Sequence, residues 1–506
     1  SAIDGDKRFV LAATVQVAAS IFPGIDIPIY GVDPESGIAG VELWYRKRID
    51  GTEAFTQFGT FALFDAPLSF SLPDALPGAD GAYEFYSVAV NRAGLAESAP
   101  ANPDDQTILL TDSAYNPATI FVDATATGSQ SGVDWPNALR EIDAAARIAD
   151  GYGILDVDVA EGTYKESVNI LASTGNTIDF QGGYHVPDGG PIVLDPFLYP
   201  SVIDANQVKF HKFAARHAVI LDSQPEGVRF AGFRITGGAA QGTGLNANGG
   251  GLFINDSFGG SVTPTRIEDC AIYGNTATGD GGGVYIVESA AITAGLELTN
   301  VHVLGNTSGV DGGGLYLDSQ SSSLTLEKCR ISANVAGSNG GGVYVTDIPL
   351  IQNTLISGNS AGQGGGVYLA PAAGGGLSYC TISSNEAATA GGGVLAGGSN
   401  STVIDGCIIS ANKPFGVEEA AATSPSLTST LFSGNLDLVD TAGDYLDSLL
   451  GSLLGAVLNT ILPGSIGNGS GTTAFLDGNS NTWDSVTYDP FLDTTTLEST
   501  RFGYTF

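Results

Sequence analysis

A few ionisable side chains in the middle of the chain have the types that acid–base chemistry requires. Between residues 267 and 412 the basic residues are Lys328 and Arg330, and the one imidazole is that of His302. A polysaccharide lyase needs such a base beside a carboxylate that a metal ion holds. The chain has four histidines in all, which leaves little material for a Ser-His-Asp set. This scarcity favours a protein without catalytic activity, and a polysaccharide lyase or glycoside hydrolase is the alternative.

Two runs of three glycines are each preceded by a carboxylate, a side chain that can bind a cation. The carboxylates are those of Asp280 and Asp311, at a position where related segments carry Asn248, Asn339 and Gln363. If the two segments lie on adjacent layers, the like charges repel. A calcium ion between Asp280 and Asp311, or separate loop excursions, would relieve that repulsion.

A second set of oxygen ligands occurs in the segment DGNSNTWD, where Asp477, Asn479 and Asn481 alternate. This spacing resembles the start of an EF-hand calcium loop, but the glycine and the final glutamate are missing. The segment is therefore a weak candidate for calcium binding.

Aromatic residues recur at one position after the glycine runs. They are Phe253, Tyr285, Tyr316, Tyr344 and Tyr368, and Leu395 ends the series. Each lies between two aliphatic residues, so the aromatic side chain points outward if its neighbours point inward. The series predicts an aromatic stripe that stacks on sugars, or one whose rings only stack on each other.

The elements that position these residues are repeats of 24 to 32 residues, measured between the third glycines of successive runs. Each repeat holds two or three short apolar stretches, with no helical periodicity between them. A variable period with short strands is typical of a solenoid whose loops absorb insertions. The repeats therefore predict a parallel β-helix.

An asparagine precedes each glycine run at a nearly constant distance. The series is Asn275, Asn306, Asn334, Asn359, Asn385 and Asn412. Asparagine tolerates left-handed backbone angles at corners, and stacked amides can bond to the layers above and below. We expect these residues to form a structural ladder.

Four cysteines lie five residues before members of this series, namely Cys270, Cys329, Cys380 and Cys407. Their common register predicts that all four thiols point into the core as small apolar fillers. Two layers separate the first two pairs, about 9.6 Å, which is too far for a disulfide bond. Cys380 and Cys407 fall on adjacent layers, so a bridge between them stays open. No CxxC motif or Cys-His cluster indicates zinc.

Residues 119–440 resemble the secreted right-handed β-helix repeat proteins, including polymorphic outer-membrane protein repeats and choice-of-anchor surface proteins. The likeness includes the entry segment IFVDATATGSQSGVDWPNALREIDAAARIADG, the coils FQGGYHVPDGG and VRFAGFRITGGAAQG, and the glycine-rich repeats. It implies a right-handed solenoid and secretion, but the scaffold occurs on adhesins, stalks and enzymes alike. Within the entry segment, WPNALREIDAAARIADG predicts a helix with Pro136 in its first turn. We expect that helix to cap the apolar end of the coils.

The flanking segments predict two further domains. Residues 1–111 contain alternating strands and resemble the fibronectin type III-like or immunoglobulin-like modules of bacterial surface proteins, which implies a β-sandwich. Residues 112–440 form the predicted β-helix with its capping helix. Residues 441–506 contain a predicted amphipathic helix, DYLDSLLGSLLGAVLNTIL, and a predicted terminal strand, RFGYTF, both outside the residues that the structure describes. A terminal strand donated to a neighbouring copy would produce a head-to-tail filament.

Composition excludes several classes of function. The formal net charge of −35 argues against nucleic-acid binding, which needs a basic surface. No apolar run reaches the length of about 18 residues that a membrane span needs. The chain starts at Ser1 and contains no methionine, so we expect that a signal peptide has been removed. The predicted protein is an all-β extracellular or cell-surface protein that is structural or adhesive, has no certain cofactor, and binds itself or glycans.

Overall fold

The structure is a computed structural model that describes most of the chain up to residue 441. The described residues are 16–17, 24–27, 38–47, 53–62, 68–71, 81–91, 96, 98–99, 105–110, 117–170, 177–207, 217–222, 227–256, 264–288, 295–319, 324–346, 349–371, 373, 375–397, 402–419, 426–435, 437–441 and 472–474. The chain forms two compact units, Ser1–Val159 and a second that begins at Ala160. The sequence-based division instead begins the β-helix domain at residue 112.

The first unit contains a five-stranded sheet, in which Val41 and Leu43 are buried as the alternation in VELWYRK predicts. Its strands, in spatial order, are Gln16–Val17, Asp105–Leu110, Gly81–Asn91, Ile38–Lys47 and Thr56–Ala62. All neighbours are antiparallel except the first pair. A separate antiparallel pair is Gly24–Ile27 with Leu68–Ser71. The immunoglobulin-like or fibronectin III-like topology stays a prediction.

The predicted entry helix is present but shorter than the sequence pattern indicates. A 3-10 turn covers Trp135–Asn137, and helix α1 covers Ile142–Tyr152. The residues between them are not helical, because the Leu139 N–H donates to the Phe121 carbonyl of a strand and not to a carbonyl of the helix. Leu139, Ile142 and Ala146 are buried. The flanking parallel strands are Thr119–Val122 and Asp156–Ala160.

The second unit is a right-handed parallel β-helix, in which each coil contributes strands to as many as four sheets. We name these sheets A to D in the order in which the chain visits them between one corner and the next. Neighbouring strands within each sheet come from successive coils and pair in parallel register. Equivalent residues of successive coils therefore lie about 4.8 Å apart, which converts a sequence repeat into a column of side chains.

Within the second unit, the strands of sheet A are Ile178–His185, Val228–Ala231, Thr265–Glu268, Leu296–Thr299, Leu324–Glu327, Leu350–Gln352, Gly375–Ser378, Thr402–Asp405 and Ser426–Thr428. A short strand, Val193–Leu194, pairs antiparallel with the first of them. The strands of sheet B are Gly162–Tyr164, Ser201–Asp204, Phe233–Thr236, Ala271–Tyr273, His302–Leu304, Arg330–Ser332, Leu355–Ser357, Thr381–Ser383, Ile408–Ser410 and Leu431–Ser433, and Thr472–Ala474 pairs antiparallel with the last.

Sheet C is short, with strands Ala239–Ala240, Thr276–Ala277, Thr307–Ser308, Val335–Ala336, Ser360–Gln363 and Glu386–Ala390. The strands of sheet D are Val168–Ile170, Val219–Asp222, Leu252–Asp256, Val284–Glu288, Leu315–Ser319, Val343–Val345, Val367–Leu369, Val394–Ala396, Phe415–Glu419 and Asp437–Thr441. Two further 3-10 turns cover Ala205–Gln207 and Gly244–Ala247.

The core of the coils consists of aliphatic columns, one from each sheet. Sheet B illustrates the rule: Ile272, Val303, Ile331 and Ile356 occupy one register position and are at most 1% exposed. Burial of an aliphatic side chain of this size contributes about 1.5 to 3 kcal/mol relative to its exposure. Side chains one residue before or after each core position point outward, so the outer faces of the sheets carry any binding chemistry.

Candidate functional site

The predicted aromatic stripe lies on the outer face of sheet D, where its residues are register partners in successive coils. Ring centroids from Phe253 to Tyr368 are separated by 5.6, 5.0, 4.9 and 5.1 Å in turn. The angles between adjacent ring planes are 10°, 17°, 7° and 4°. We call this column the aromatic ladder.

The faces of these rings are covered by each other. Because the rings are nearly parallel and one coil apart, each internal ring has another ring on both sides. Phe253 at one end meets the imidazole of His217 at 5.0 Å, and Leu395 is the register partner of Tyr368 at the other end. A sugar stacks on an open ring face, and the ladder presents edges and hydroxyl groups instead. Glycan binding by the aromatic ladder stays a prediction. It would have to use the ring edges and hydroxyl groups, because the ring faces are stacked on each other.

The glycine runs place a loop against the ladder. Gly281 has φ of +64°, and a Cβ added to it would lie 2.8 Å from Tyr285 Cβ. Gly340 takes the same conformation beside Tyr344, with 2.8 Å to that Cβ. Only glycine allows both the left-handed turn and this close approach. The repeat therefore carries glycine because the loop folds onto the aromatic residue of its own coil.

The polar residues before the glycine runs form a second column. Asn248 Oδ1 accepts a hydrogen bond from the Asp280 N–H at 2.9 Å, and Asp280 Oδ1 accepts from the Asp311 N–H at 3.0 Å. Asp311 Oδ1 in turn accepts from both nitrogens of Asn339, each at 2.9 Å. Backbone donors of the next coil therefore hold the two carboxylates, which offsets the repulsion between them without separate loop excursions.

Burial raises the pKa of both carboxyl groups in this column above the ordinary aspartate value. Desolvation is the main cause at Asp280 and at Asp311, and it outweighs the hydrogen bonds that favour the ionised form. Burial is also the main cause that raises the pKa of Tyr344 to about 12, and the nearby charge of Asp311 adds to it. The tyrosine hydroxyls beside these acids therefore stay protonated at neutral pH.

The predicted calcium sites gain no further ligands from the fold. Among the described residues, no group of three or more His, Cys, Asp or Glu side chains is arranged to hold a metal ion. Asp280 and Asp311 offer two carboxylates on adjacent coils, so cation binding between them stays a prediction. The other candidates, Asp477, Asn479 and Asn481, lie outside the described residues.

The asparagine series lies at the corner between sheets B and C, and its members are buried. Each Nδ2 donates to Oδ1 of the next asparagine, at distances of 2.9 to 3.1 Å along the chain of bonds from Asn275 to Asn435. Each Nδ2 also donates to a backbone carbonyl of a preceding coil, such as Val303 for Asn334 at 2.9 Å. Each Oδ1 also accepts a backbone N–H, as Asn334 does from Asn306 at 2.9 Å. We call this column the asparagine ladder.

The four cysteines form a buried column of free thiols. Their sulfur atoms lie 3.3 to 3.6 Å from backbone carbonyl oxygens of the preceding coil. Cys380 and Cys407 are adjacent, and the Cys380 N–H donates to Cys407 Sγ at 3.4 Å, but no disulfide joins them. Burial raises the pKa of the Cys270 and Cys329 thiols to about 12, so these groups are weak nucleophiles.

The two basic residues and the histidine that a lyase would have to use, Lys328, Arg330 and His302, lie near the junction of sheets A and B. Lys328 Nζ is 3.1 Å from Glu327 Oε1, and Arg330 Nε donates to Ser332 Oγ at 3.3 Å. Arg330 is the register partner of His302. His302 is 1% exposed, and burial together with the Arg330 charge lowers its pKa to about 3. Its imidazole is therefore neutral and enclosed at physiological pH.

One exposed aromatic side chain was not predicted from the sequence. Tyr379 is 59% exposed, more than any other aromatic side chain whose burial the structure describes. It lies at the corner between sheets A and B with φ of +55°. Its ring lies against Gly406 of the next coil, where an added Cβ would be 2.6 Å from the ring carbon Cδ1.

The outer face of sheet A beside Tyr379 carries an exposed apolar column next to a polar one. Leu350 and Val403 are 40% and 42% exposed, and Gly376 lies between them in the same register column. The parallel column beside them carries the polar residues Gln352, Ser378 and Asp405. We call this surface the Tyr379 patch. The sequence signal is the residue before each cysteine position, where Tyr379 replaces Asp269, Asn300, Lys328 or Asn353.

Comparison with known proteins agrees with the fold. Residues 282–443 match the family model described as the right-handed beta helix region. The structure and this match define the second unit as a right-handed parallel β-helix. No curated protein sequence matches the chain.

One solved structure that matches is a Yersinia enterocolitica family 28 exopolygalacturonase. It is 9% identical, with a TM-score of 0.19, and the match covers 86% of this chain and 99% of that chain. A similarity this low has no bearing on activity.

Proposed function

We propose that this protein is a non-catalytic extracellular surface protein with a structural or adhesive role. The main support is that the polar columns hydrogen-bond to the next coil and the aromatic column stacks on it. The asparagine ladder, the Asn248–Asp280–Asp311–Asn339 column and the aromatic ladder all follow this rule. Side chains committed to their neighbours stiffen the solenoid and are not placed around a common substrate.

This arrangement suits a rigid, protease-resistant rod. A satisfied buried hydrogen bond contributes about 1 kcal/mol, and the asparagine ladder repeats several in every coil. Each coil contacts mainly its two neighbours, so these bonds stabilise the solenoid against local opening. An extended, stable rod serves a surface layer, a fibre or an adhesin.

The extracellular location rests on the resemblance of residues 119–440 to secreted surface proteins. In the described part of the chain, no helix combines the length and apolar character of a membrane-spanning segment. Head-to-tail association through the terminal strands remains part of the proposal. Of the two strand-like extremities, RFVLAATVQV near the start and RFGYTF at the end, the second lies outside the described residues. In the first, Gln16–Val17 pairs with Asp105–Leu110 of the same chain, so the C-terminal strand is the stronger donor candidate. Light scattering of the full chain and of chains that lack either terminus tests it. Elongation of the full chain alone would identify a donated strand.

The catalytic alternative is tested directly by incubating purified protein with pectin, alginate and polygalacturonate. We expect no release of unsaturated or reducing ends. Turnover that Lys328→Ala or Arg330→Ala abolishes, and that Arg266→Ala leaves intact, would overturn the proposal. Arg266 is the matched control because it lies on sheet A in an ion pair with Glu297 at 2.8 Å.

A further inference from the structure

We propose that the Tyr379 patch binds a neutral, hydroxyl-rich polysaccharide chain. This inference rests on the adhesive form of the proposed function, because it names the chemistry of the surface that is recognised. Tyr379 is the residue that carries it. Its ring is exposed, in contrast to the rings of the aromatic ladder, whose faces cover each other.

The conformation of Tyr379 is the first line of support. Its corner column consists of Asp269, Asn300, Lys328, Asn353, Tyr379, Gly406 and Ser429, and all seven have φ between +48° and +62°. Glycine, asparagine and aspartate tolerate this region, whereas a bulky aromatic residue there is an outlier. A strained residue that projects an exposed ring is a candidate for binding, since a smaller residue would serve the corner better.

The second line of support is that Gly406 of the next coil lies beneath the Tyr379 ring. Gly406 is the next residue in the corner column, and its missing Cβ leaves the space that the Tyr379 ring occupies. The ring is therefore held against the corner of the following coil while much of its surface faces solvent. A fixed aromatic platform loses little conformational entropy when a ligand stacks on it.

The size of the apolar surface favours a sugar chain over a protein partner. The patch exposes the apolar side chains of Leu350, Val403 and Tyr379 around Gly376. Leu350 and Val403 lie two coils apart, about 9.6 Å, and Gly376 and Tyr379 lie about 10 Å apart along one chain segment. Stable protein complexes bury about 800 Å² on each partner, far more than three side chains supply. A short stretch of glycan fits these dimensions.

The polar rim favours a neutral ligand. Gln352, Ser378 and Asp405 supply an amide, a hydroxyl and a carboxylate beside the apolar column, and Thr428 Oγ1 holds Asp405 Oδ1 at 2.5 Å. These groups donate to and accept from hydroxyls. The described strands of sheet A from Leu350 to Thr428 contain no lysine or arginine, and the whole chain has a formal charge of −35. An acidic glycan would meet repulsion here.

The test is isothermal titration calorimetry of the full chain with four neutral hexasaccharides and one acidic one. The probes are cellohexaose, xylohexaose, mannohexaose, maltohexaose and hexagalacturonate. We expect binding of at least one neutral probe, and Tyr379→Asn should weaken it about tenfold. Tyr379→Phe keeps the ring and should retain binding. Leu198→Asn is the matched control, because Leu198 is an apolar residue, 65% exposed, outside the patch.

A melting curve of Tyr379→Asn separates lost binding from lost folding. Asparagine suits the left-handed corner, so the variant should melt at the same temperature as the parent chain or higher. No binding of any neutral probe, binding of hexagalacturonate alone, or unchanged affinity in Tyr379→Asn would each overturn the inference. Those outcomes leave the non-catalytic proposal standing, because turnover of pectin or alginate is scored in a separate assay.

Discussion

Removal of one asparagine from the middle of the ladder tests whether these side chains stabilise the coils. Asn334 is fully buried, and its amide takes part in four hydrogen bonds. Nδ2 donates to Asn359 Oδ1 at 3.0 Å and to the Val303 carbonyl at 2.9 Å. Oδ1 accepts from the backbone N–H of Asn306 at 2.9 Å and from Asn306 Nδ2 at 3.1 Å. Asn334→Ala removes all four.

The expected loss follows from the partners that remain. Asn306 Nδ2 keeps the Ile272 carbonyl, and Asn359 Oδ1 keeps the backbone N–H of Asn334. The backbone N–H of Asn306 loses the acceptor that the ladder provides. A buried donor left without a partner costs about 1 to 3 kcal/mol, and the lost bonds add to that. We therefore expect Asn334→Ala to lower the free energy of unfolding by about 3 kcal/mol.

The assay is urea denaturation followed by circular dichroism, combined with hydrogen exchange at the Asn306 amide. Asn246→Ala is the control, because Asn246 is exposed in the 3-10 turn Gly244–Ala247 and lies outside the ladder. Its substitution should change stability by less than about 0.5 kcal/mol. Equal losses in the two variants, or unchanged protection of the Asn306 amide in Asn334→Ala, would refute the reasoning.

Three further predictions concern other columns of the coils. Ala411 has φ of +55° at a corner where glycine recurs, so Ala411→Gly should stabilise by about 0.5 to 1 kcal/mol, measured as a rise in the urea midpoint; a drop would contradict the strain argument. Burial raises the pKa of Asp280 above its unfolded value, so its ionisation destabilises the fold as the pH rises from about the ordinary carboxyl pKa through the raised one. Asp280→Asn keeps an acceptor for the Asp311 N–H, so it should raise the free energy of unfolding at neutral pH and leave it unchanged at pH 3. A lower free energy of unfolding at neutral pH would show that the fold needs the charge, as a bound cation would require. The buried Cys270 thiol, with a pKa of about 12, should react with a thiol reagent only after urea unfolding, and rapid reaction in the folded state would disprove its burial.

Much of the candidate site was predictable because it depends on register. The inward cysteines, the ladder asparagines and the outward Tyr285 column follow from a strict repeat, since stacked coils turn equal sequence positions into columns. The entry helix shows the limit of such reasoning. Its pattern predicts a continuous helix through Leu139, and the structure breaks it there because a strand takes the Leu139 N–H. That competing partner lies outside any local window.

The orientation of the rings was not predictable in the same way. The alternation around Tyr316 places its side chain outside, but the side-chain torsions and the neighbouring coils decide whether its face meets solvent or another ring. The hydrogen bonds of Asp280 and Asp311 were also not predictable from the sequence, because they depend on contacts between coils. Their spacing suggests a cation site, and the fold supplies backbone N–H donors to both.

The sequence alone determined the class of fold, the direction in which each repeated side chain points, and the columns that result, because periodicity is a property of the chain. Only the tertiary structure decided which columns use their hydrogen bonds and ring faces on the next coil and which expose them to solvent. Tyr379 belongs to the second group: its exposed ring depends on a left-handed corner and on the missing Cβ of Gly406 in the next coil. The physical reason is that exposure is set by contacts between coils, and a repeat pattern specifies where residues stack but not how their side chains meet.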